Sequence, residues 1–229
     1  MPVLTDEQLQ NGYFAELAGF PPAKIIHTVA EYDGATCCCI ACTQLADDES
    51  DQVHRQILAD WIRFFQANPV AFRAVHLASY VPQKLFDAVC CQKNLIELRC
   101  KWGKYTDLLA LTNLHDLQYL YLGSCPGVKD ITPITRLEQL VVLYVENFKQ
   151  IEDYSPLTAL THLEQLVISG SLYSSTPLRD LDFIRDMPSL ASFGRLCTTL
   201  RKKYTKEEKE QLHTLSPDVL GINDQAWWY

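Results

Sequence analysis

One interval recurs through the middle of this chain and restricts its fold more than any other feature. Leu117, Leu120, Leu122 and Cys125 form one copy of a spaced pattern. Leu140, Leu143, Val145 and Phe148 form a second, and Leu163, Leu166, Ile168 and Ser171 a third, with starts 23 residues apart. Residues two apart share one face of a β-strand. Leu120 and Leu122 therefore point one way, and Tyr119 and Tyr121 the other. A single strand of this kind cannot bury its leucine face alone, so copies must stack and share a core. A fixed period of this length is the mark of a solenoid.

The segments between the strands repeat as well. Lys129-Asp130-Ile131-Thr132-Pro133-Ile134 aligns with Glu152-Asp153-Tyr154-Ser155-Pro156-Leu157. Asp107, Asp130, Asp153 and Asp180 each lie 10 residues before the next copy begins. Thr132 and Ser155 are suited to cap a helix, and Pro133 and Pro156 suit its first position. Each copy therefore predicts a strand, a turn and a short helix, with Leu137 and Leu160 facing inward. Further copies extend the array. Leu95, Leu98, Cys100 and Gly103 precede the three above, and Leu190 begins another. Phe72, Val75, Leu77 and Tyr80 form a degenerate first copy, with residues 83–91 as its helix.

The pattern over residues 95–196, just under half the chain, resembles the short-period leucine-rich repeats of bacterial internalins and of the eukaryotic phosphatase-regulator type. Those repeats also carry a convex Asp-x-x-Pro-Leu-like segment. The resemblance implies an α/β solenoid with a curved parallel sheet and short convex helices. It also implies a bacterial protein that binds another protein or peptide without chemistry of its own. The asparagine that usually ends the motif is replaced here by Gly103, Cys125, Phe148 and Ser171, so no regular asparagine ladder is expected.

Three segments follow. Residues 1–71 are an N-terminal α/β cap. Thr5 and Gln8 fit a capping box, and Leu9, Tyr13 and Leu17 continue a helix that Gly19-Phe20-Pro21-Pro22 stops. Asp33-Gly34 between two strand-like runs predicts a β-hairpin. Val53, Ile57, Trp61, Phe64 and Phe65 predict a second helix, ended by Asn68-Pro69. Residues 72–196 are the repeats, with a surface insertion near residues 171–177. Residues 197–229 are a C-terminal helical cap opened by Thr205 and Glu208, with a strand near 218–222 and a Trp227-Trp228-Tyr229 tail.

A net charge of -8 disfavours nucleic acid and acidic membranes as partners. No apolar run reaches the roughly 18 residues that span a bilayer, and the N-terminus lacks the basic and apolar regions of a signal peptide. A cytoplasmic monomer is expected.

The candidate site is the exposed side of the parallel sheet. Its residues are Glu97, Arg99, Lys101 and Trp102, then Tyr119 and Tyr121, then Val142, Tyr144 and Glu146, then Gln165 and Val167. Arg99, Tyr121, Tyr144 and Val167 hold one position in successive copies, and strands about 4.8 Å apart make them a continuous row. Tyrosine, tryptophan and arginine are the side chains enriched at binding hot spots.

The alternative is a metal or thiol centre in the N-terminal cysteine cluster. Cys39 and Cys42 have CxxC spacing, and Cys90-Cys91 could complete four ligands. Strand alternation, however, places Cys39 and Cys42 on opposite faces, so the nine cysteines read as reduced thiols and no metal or cofactor is implied. His27, His54, His76, His115, His162 and His213 are scattered outside any catalytic motif.

Overall fold

The computed structural model describes residues 3–11, 13, 24–45, 50–171 and 173–215. Eight strands form one parallel sheet in chain order: β1 (Ile25–Ile26), β2 (Cys37–Ile40), β3 (Ala74–Val81), β4 (Glu97–Gly103), β5 (Tyr119–Leu122), β6 (Val142–Glu146), β7 (Gln165–Ser169) and β9 (Ser192–Leu196). The register follows the leucine spacing. Leu98, Leu120, Leu143, Leu166 and Phe193 lie side by side on successive strands, and none is more than 2% exposed. Phe72 is fully buried, and β3 pairs with β4 in the expected register from Ala74 opposite Glu97 to Leu77 opposite Cys100. The register then shifts, so Val81 and not Tyr80 lies opposite Gly103, and the expected end of the first copy is displaced by one residue.

The crossovers are single 3-10 turns at Leu109–Asn113, Thr132–Arg136, Ser155–Ala159 and Asp182–Asp186. The first repeat instead has a true α-helix, α3 (Gln83–Val89), preceded in the chain by α1 (Asp6–Asn11) and α2 (Asp51–Ala67). Thr132 and Ser155 do not cap these turns; they are the first residues inside them. The preceding aspartates take that role. Asp107, Asp130, Asp153 and Asp180 each accept the N–H two residues on, at 2.8–3.1 Å. A carboxylate two residues before that amide reaches it by an Asx turn, which explains the aspartate in every copy.

The missing asparagines are replaced by main chain. Cys125 N–H donates to the Glu146 carbonyl, Gly103 N–H to Ser124, and Asn147 N–H to Ser169. Ser124 and Asn147, one position before the motif's end, take the left-handed conformation, and the Asn147 amide donates to Ser124 Oγ.

The N-terminal hairpin does not form. β1 and β2 are parallel, with Ile25 opposite Cys39. Asp33 does accept the Ala35 N–H, and Gly34 takes a φ of 92°, so Asp-Gly serves its turn. That turn lies inside a crossover. A 3-10 turn at Val29–Glu31, tied by the Thr28 N–H and hydroxyl to Glu31, has already diverted the chain. Both strands then join the sheet in the direction of the repeats and put Ile26 and Ile40 into the same core. The N-terminal strands thus continue the repeat sheet.

α2 is capped by Ser50, whose hydroxyl accepts the Val53 N–H. It buries Trp61 and Phe65, and the Trp61 indole donates to the His27 carbonyl at 2.8 Å.

At the other end, the insertion supplies β8 (Thr176–Leu178), which pairs in parallel with β10 (Thr198–Leu200). The Thr205–Glu208 capping box opens α4 (Lys206–Leu215) as expected. The strand expected near 218–222, the Trp227-Trp228-Tyr229 tail, Leu17 and the Gly19–Pro22 stop lie outside the described residues. One continuous core links Ile26 in β1 to Phe193 in β9.

Candidate interaction face of the parallel sheet

Strand alternation sends one set of side chains into the core and the other onto the open face of the sheet. Three rows run across that face. The first is Glu97, Tyr119, Val142, Gln165 and Ser192; the second is His76, Arg99, Tyr121, Tyr144, Val167 and Gly194. The third contains Glu146 and Ser169, and Lys101 follows the last paired residue of β4, Cys100.

The second row is the open one. Tyr121, Tyr144 and Val167 are half-buried, and the two tyrosine rings lie 4.7 Å apart at 30°. The Tyr121 hydroxyl donates to the Glu146 carboxylate at 3.2 Å. Burial raises the pKa of both partners, so the phenol keeps its proton. Arg99 differs from its neighbours. It is 4% exposed and ion-paired with Glu97 at 5%, which makes it a brace beneath the row.

Lys101 and Trp102 sit at the end of β4, with the ammonium 4.5 Å from the indole centroid. Trp102 is 42% exposed. Between Lys101 and Glu146 the chain has Gly123, where a Cβ would come 2.2 Å from the Lys101 carbonyl. Only glycine permits that approach of the two strands.

The first row is covered. Val142 is fully buried, Gln165 is 2% exposed and Glu97 is 5% exposed. The cover is the chain's own N-terminal segment. The Val3 and Leu4 N–H groups donate to Glu164 at 2.6 and 2.8 Å. The Gln165 amide accepts the Tyr13 N–H and donates to the Gln8 carbonyl. Ser192 donates to the Leu9 carbonyl. The Tyr13 ring stacks on Tyr119 at 4.2 Å and 5°, and its hydroxyl donates to Glu97. Sequence reasoning found the capping box of this segment, which forms between Thr5 and Gln8, but not its resting place. One signal was available. Leu140-Val141-Val142-Leu143 is apolar throughout, where the neighbouring strands carry Gln118-Tyr119 and Glu164-Gln165. A strand apolar on both faces is covered on both.

The structure gives the N-terminal cysteines no support as a metal or thiol centre. Among the described residues, no group of three or more His, Cys, Asp and Glu side chains could hold a metal ion. Cys38, Cys42 and Cys90 face the main core. Burial pushes the Cys38 thiol up to about 11 and Cys42 up to about 12, away from the thiolate that binds metal or attacks. Cys39 lies on the open face, 3.5 Å from His76 Nδ1, and burial raises its pKa too.

His115 lines an open polar cleft of about 630 Å³ at the turns before β4, β5 and β6, with Arg73, Asp116, Arg136 and Glu138. Among the described residues, no helix is long and apolar enough to cross a membrane.

Comparison with protein-family models and with curated proteins gave no match. Solved structures do match. A leucine-rich-repeat protein from Leptospira interrogans shares 16% identity over 82% of this chain and 50% of its own, with a TM-score of 0.50. An internalin from Listeria monocytogenes shares 21% identity over 62% of this chain and 44% of its own, with a TM-score of 0.44. Internalin C2 from the same organism shares 20% over 59% and 66%, with a TM-score of 0.38. The chain spans about half to two thirds of the length of these proteins. At such identities the likeness speaks to fold alone. Together with the 23-residue period and the parallel strands in chain order, the likeness to the Leptospira protein gives this chain the fold of a leucine-rich-repeat solenoid.

Proposed function

We propose that this protein is a non-catalytic scaffold that binds another protein or a peptide on the open face of its sheet. The observation that carries the reading is the second row: Tyr121, Tyr144 and Val167 are in register and half-buried, and the two tyrosine rings are in contact. Rigid aromatic side chains on a rigid sheet lose little entropy on binding, which suits them to anchor a partner. Glu146, Lys101 and Trp102 form a polar and aromatic rim beside them. The net charge of -8 supports a protein partner over nucleic acid. The nine free thiols accord with a reducing compartment, and we place the protein as a monomer in a bacterial cytoplasm.

The test begins with capture of partners on the purified chain. It compares wild type with a Tyr121→Ala and Tyr144→Ala double variant. Neither change opens a core cavity, so the double variant should lose only the cross-strand contacts, about 0.2–1 kcal/mol per pair, and stay folded. Each truncation should weaken binding by about 2 kcal/mol or more if the row is a hot spot. A stably folded double variant with unchanged affinity would move the site off this row.

A further inference from the structure

We propose that the covered first row is a peptide-binding groove in its own right, and that the N-terminal segment is a removable ligand seated in it. The groove would take a short segment that offers consecutive backbone amides to Glu164, two leucines to Val141 and Val142, and an aromatic ring to Tyr119. This proposal rests on the first row and the segment, and stands or falls separately from partner binding at Tyr121 and Tyr144.

Three observations support it. The first is chemical. Glu97, Glu164, Gln165 and Ser192 are all under 9% exposed beneath the segment. A carboxylate loses its hydration on burial and needs compensating hydrogen bonds. Here the segment's main chain supplies them to Glu164 and Gln165. When the segment leaves, water replaces it at the same groups.

The second is structural. Leu4 and Leu9 pack with Val141 and Val142, joined by Tyr13, Tyr119 and Ala191, in a cluster separate from the main core. Detachment leaves that core whole. The third is the mode of recognition. Of the bonds between segment and sheet, those to Val3, Leu4, Gln8, Leu9 and Tyr13 run from side chains of the sheet to main-chain groups of the segment. Main-chain groups are common to any peptide. Leu4, Leu9 and Tyr13 then supply selectivity through their side chains.

The test keeps the full chain. Leu4→Asp with Leu9→Asp should expel the segment, since it sets two carboxylates against Val141, Val142 and Glu164. A fluorescent peptide of residues 1–13 with the natural sequence is then titrated by anisotropy. A tethered occupant competes at an effective concentration of about millimolar, so the wild-type chain should bind the free peptide at least tenfold more weakly than the double variant. Adding Glu164→Ala to the double variant should lower its affinity at least tenfold. Two results would overturn the proposal. One is a double variant that loses its cooperative thermal unfolding, because the segment would then be part of the structural core. The other is a folded double variant that binds the peptide no better than wild type.

Discussion

Leu120 and Leu143 are neighbours in register on β5 and β6, and each has no exposed surface. Shortening either to alanine removes three buried carbons and leaves a hole that stacked neighbours on both sides hold open. Each Leu→Ala change should cost about 2–5 kcal/mol in denaturant unfolding. A loss well below 1 kcal/mol would mean that the strand points the other way, because a slip of one residue exchanges the two faces. On the open face, His76 shows how row neighbours set a single group. Burial, followed by the positive charges of Arg99 and Lys101, brings its pKa down to about 4, against about 6.5 in an unfolded chain. Above pH 6.5 neither state carries the proton, so stability is unaffected there. As pH falls from about 6.5 toward 4, the unfolded chain takes up the proton first, and this contribution to stability is lost. Wild type should therefore lose more thermal stability between pH 7 and pH 5 than His76→Gln does. Parallel pH dependence in the two proteins would assign the loss elsewhere.

The elements repeat because two short signals repeat: leucine spacing in the strand and one aspartate before each crossover turn. Asp130 and Asp153 each hold the first amide of a 3-10 turn. Burial raises the Asp153 pKa, but the Ser155 hydrogen bonds and Arg179 outweigh it and hold the carboxyl below its ordinary range. Asp→Ala at either position should cost about 0.5–2 kcal/mol, the range of a lost helix cap. Asp→Asn should cost less, because its carbonyl oxygen can still accept the amide; equal losses would show that the turn does not depend on that bond. What sequence could reveal follows the same division. The strand phase was legible because side-chain alternation is a property of the backbone alone, and Leu98, Leu120, Leu143 and Leu166 report it directly. The N-terminal hairpin was misread because Asp33-Gly34 has the same turn chemistry in a hairpin and in a crossover, and only pairing with β3 decides between them. The resting place of Leu4, Leu9 and Tyr13 was illegible because it depends on Glu164, Gln165 and Ser192, more than 150 residues away. Local pattern carries no record of such a meeting, apart from the unbroken apolar run at Val141 and Val142.

At the scale of the molecule, a solenoid in which each repeat touches only its neighbours must close both ends. We propose that the insertion and the segment after β9 act together to close the C-terminal end. β10 pairs with β8, and the Arg201 and Lys202 amides extend that pairing to the carbonyls of Leu178 and Arg179. The Tyr204 hydroxyl accepts the Leu181 N–H at 2.6 Å and donates to Asp182, which also pairs with Lys202 at 2.8 Å. Leu200 and Tyr204 pack against the main core. A chain cut after Leu196 loses all of these contacts. It leaves the β8 edge unpaired, the Leu181 amide without its acceptor and one side of the terminal core open to water. Unpaired parallel edges beside exposed apolar surface favour aggregation. A chain cut after Leu215 keeps them. The pair of truncations isolates the cap: residues 1–215 should stay soluble and unfold cooperatively. Residues 1–196 should melt about 5 °C or more lower, given about 2–4 °C per kcal/mol for a chain of this size, and should bind a hydrophobic dye or precipitate. Equal melting of the two fragments in differential scanning calorimetry would show that β9 can end the array on its own, with β8, β10 and Tyr204 adding nothing to its closure.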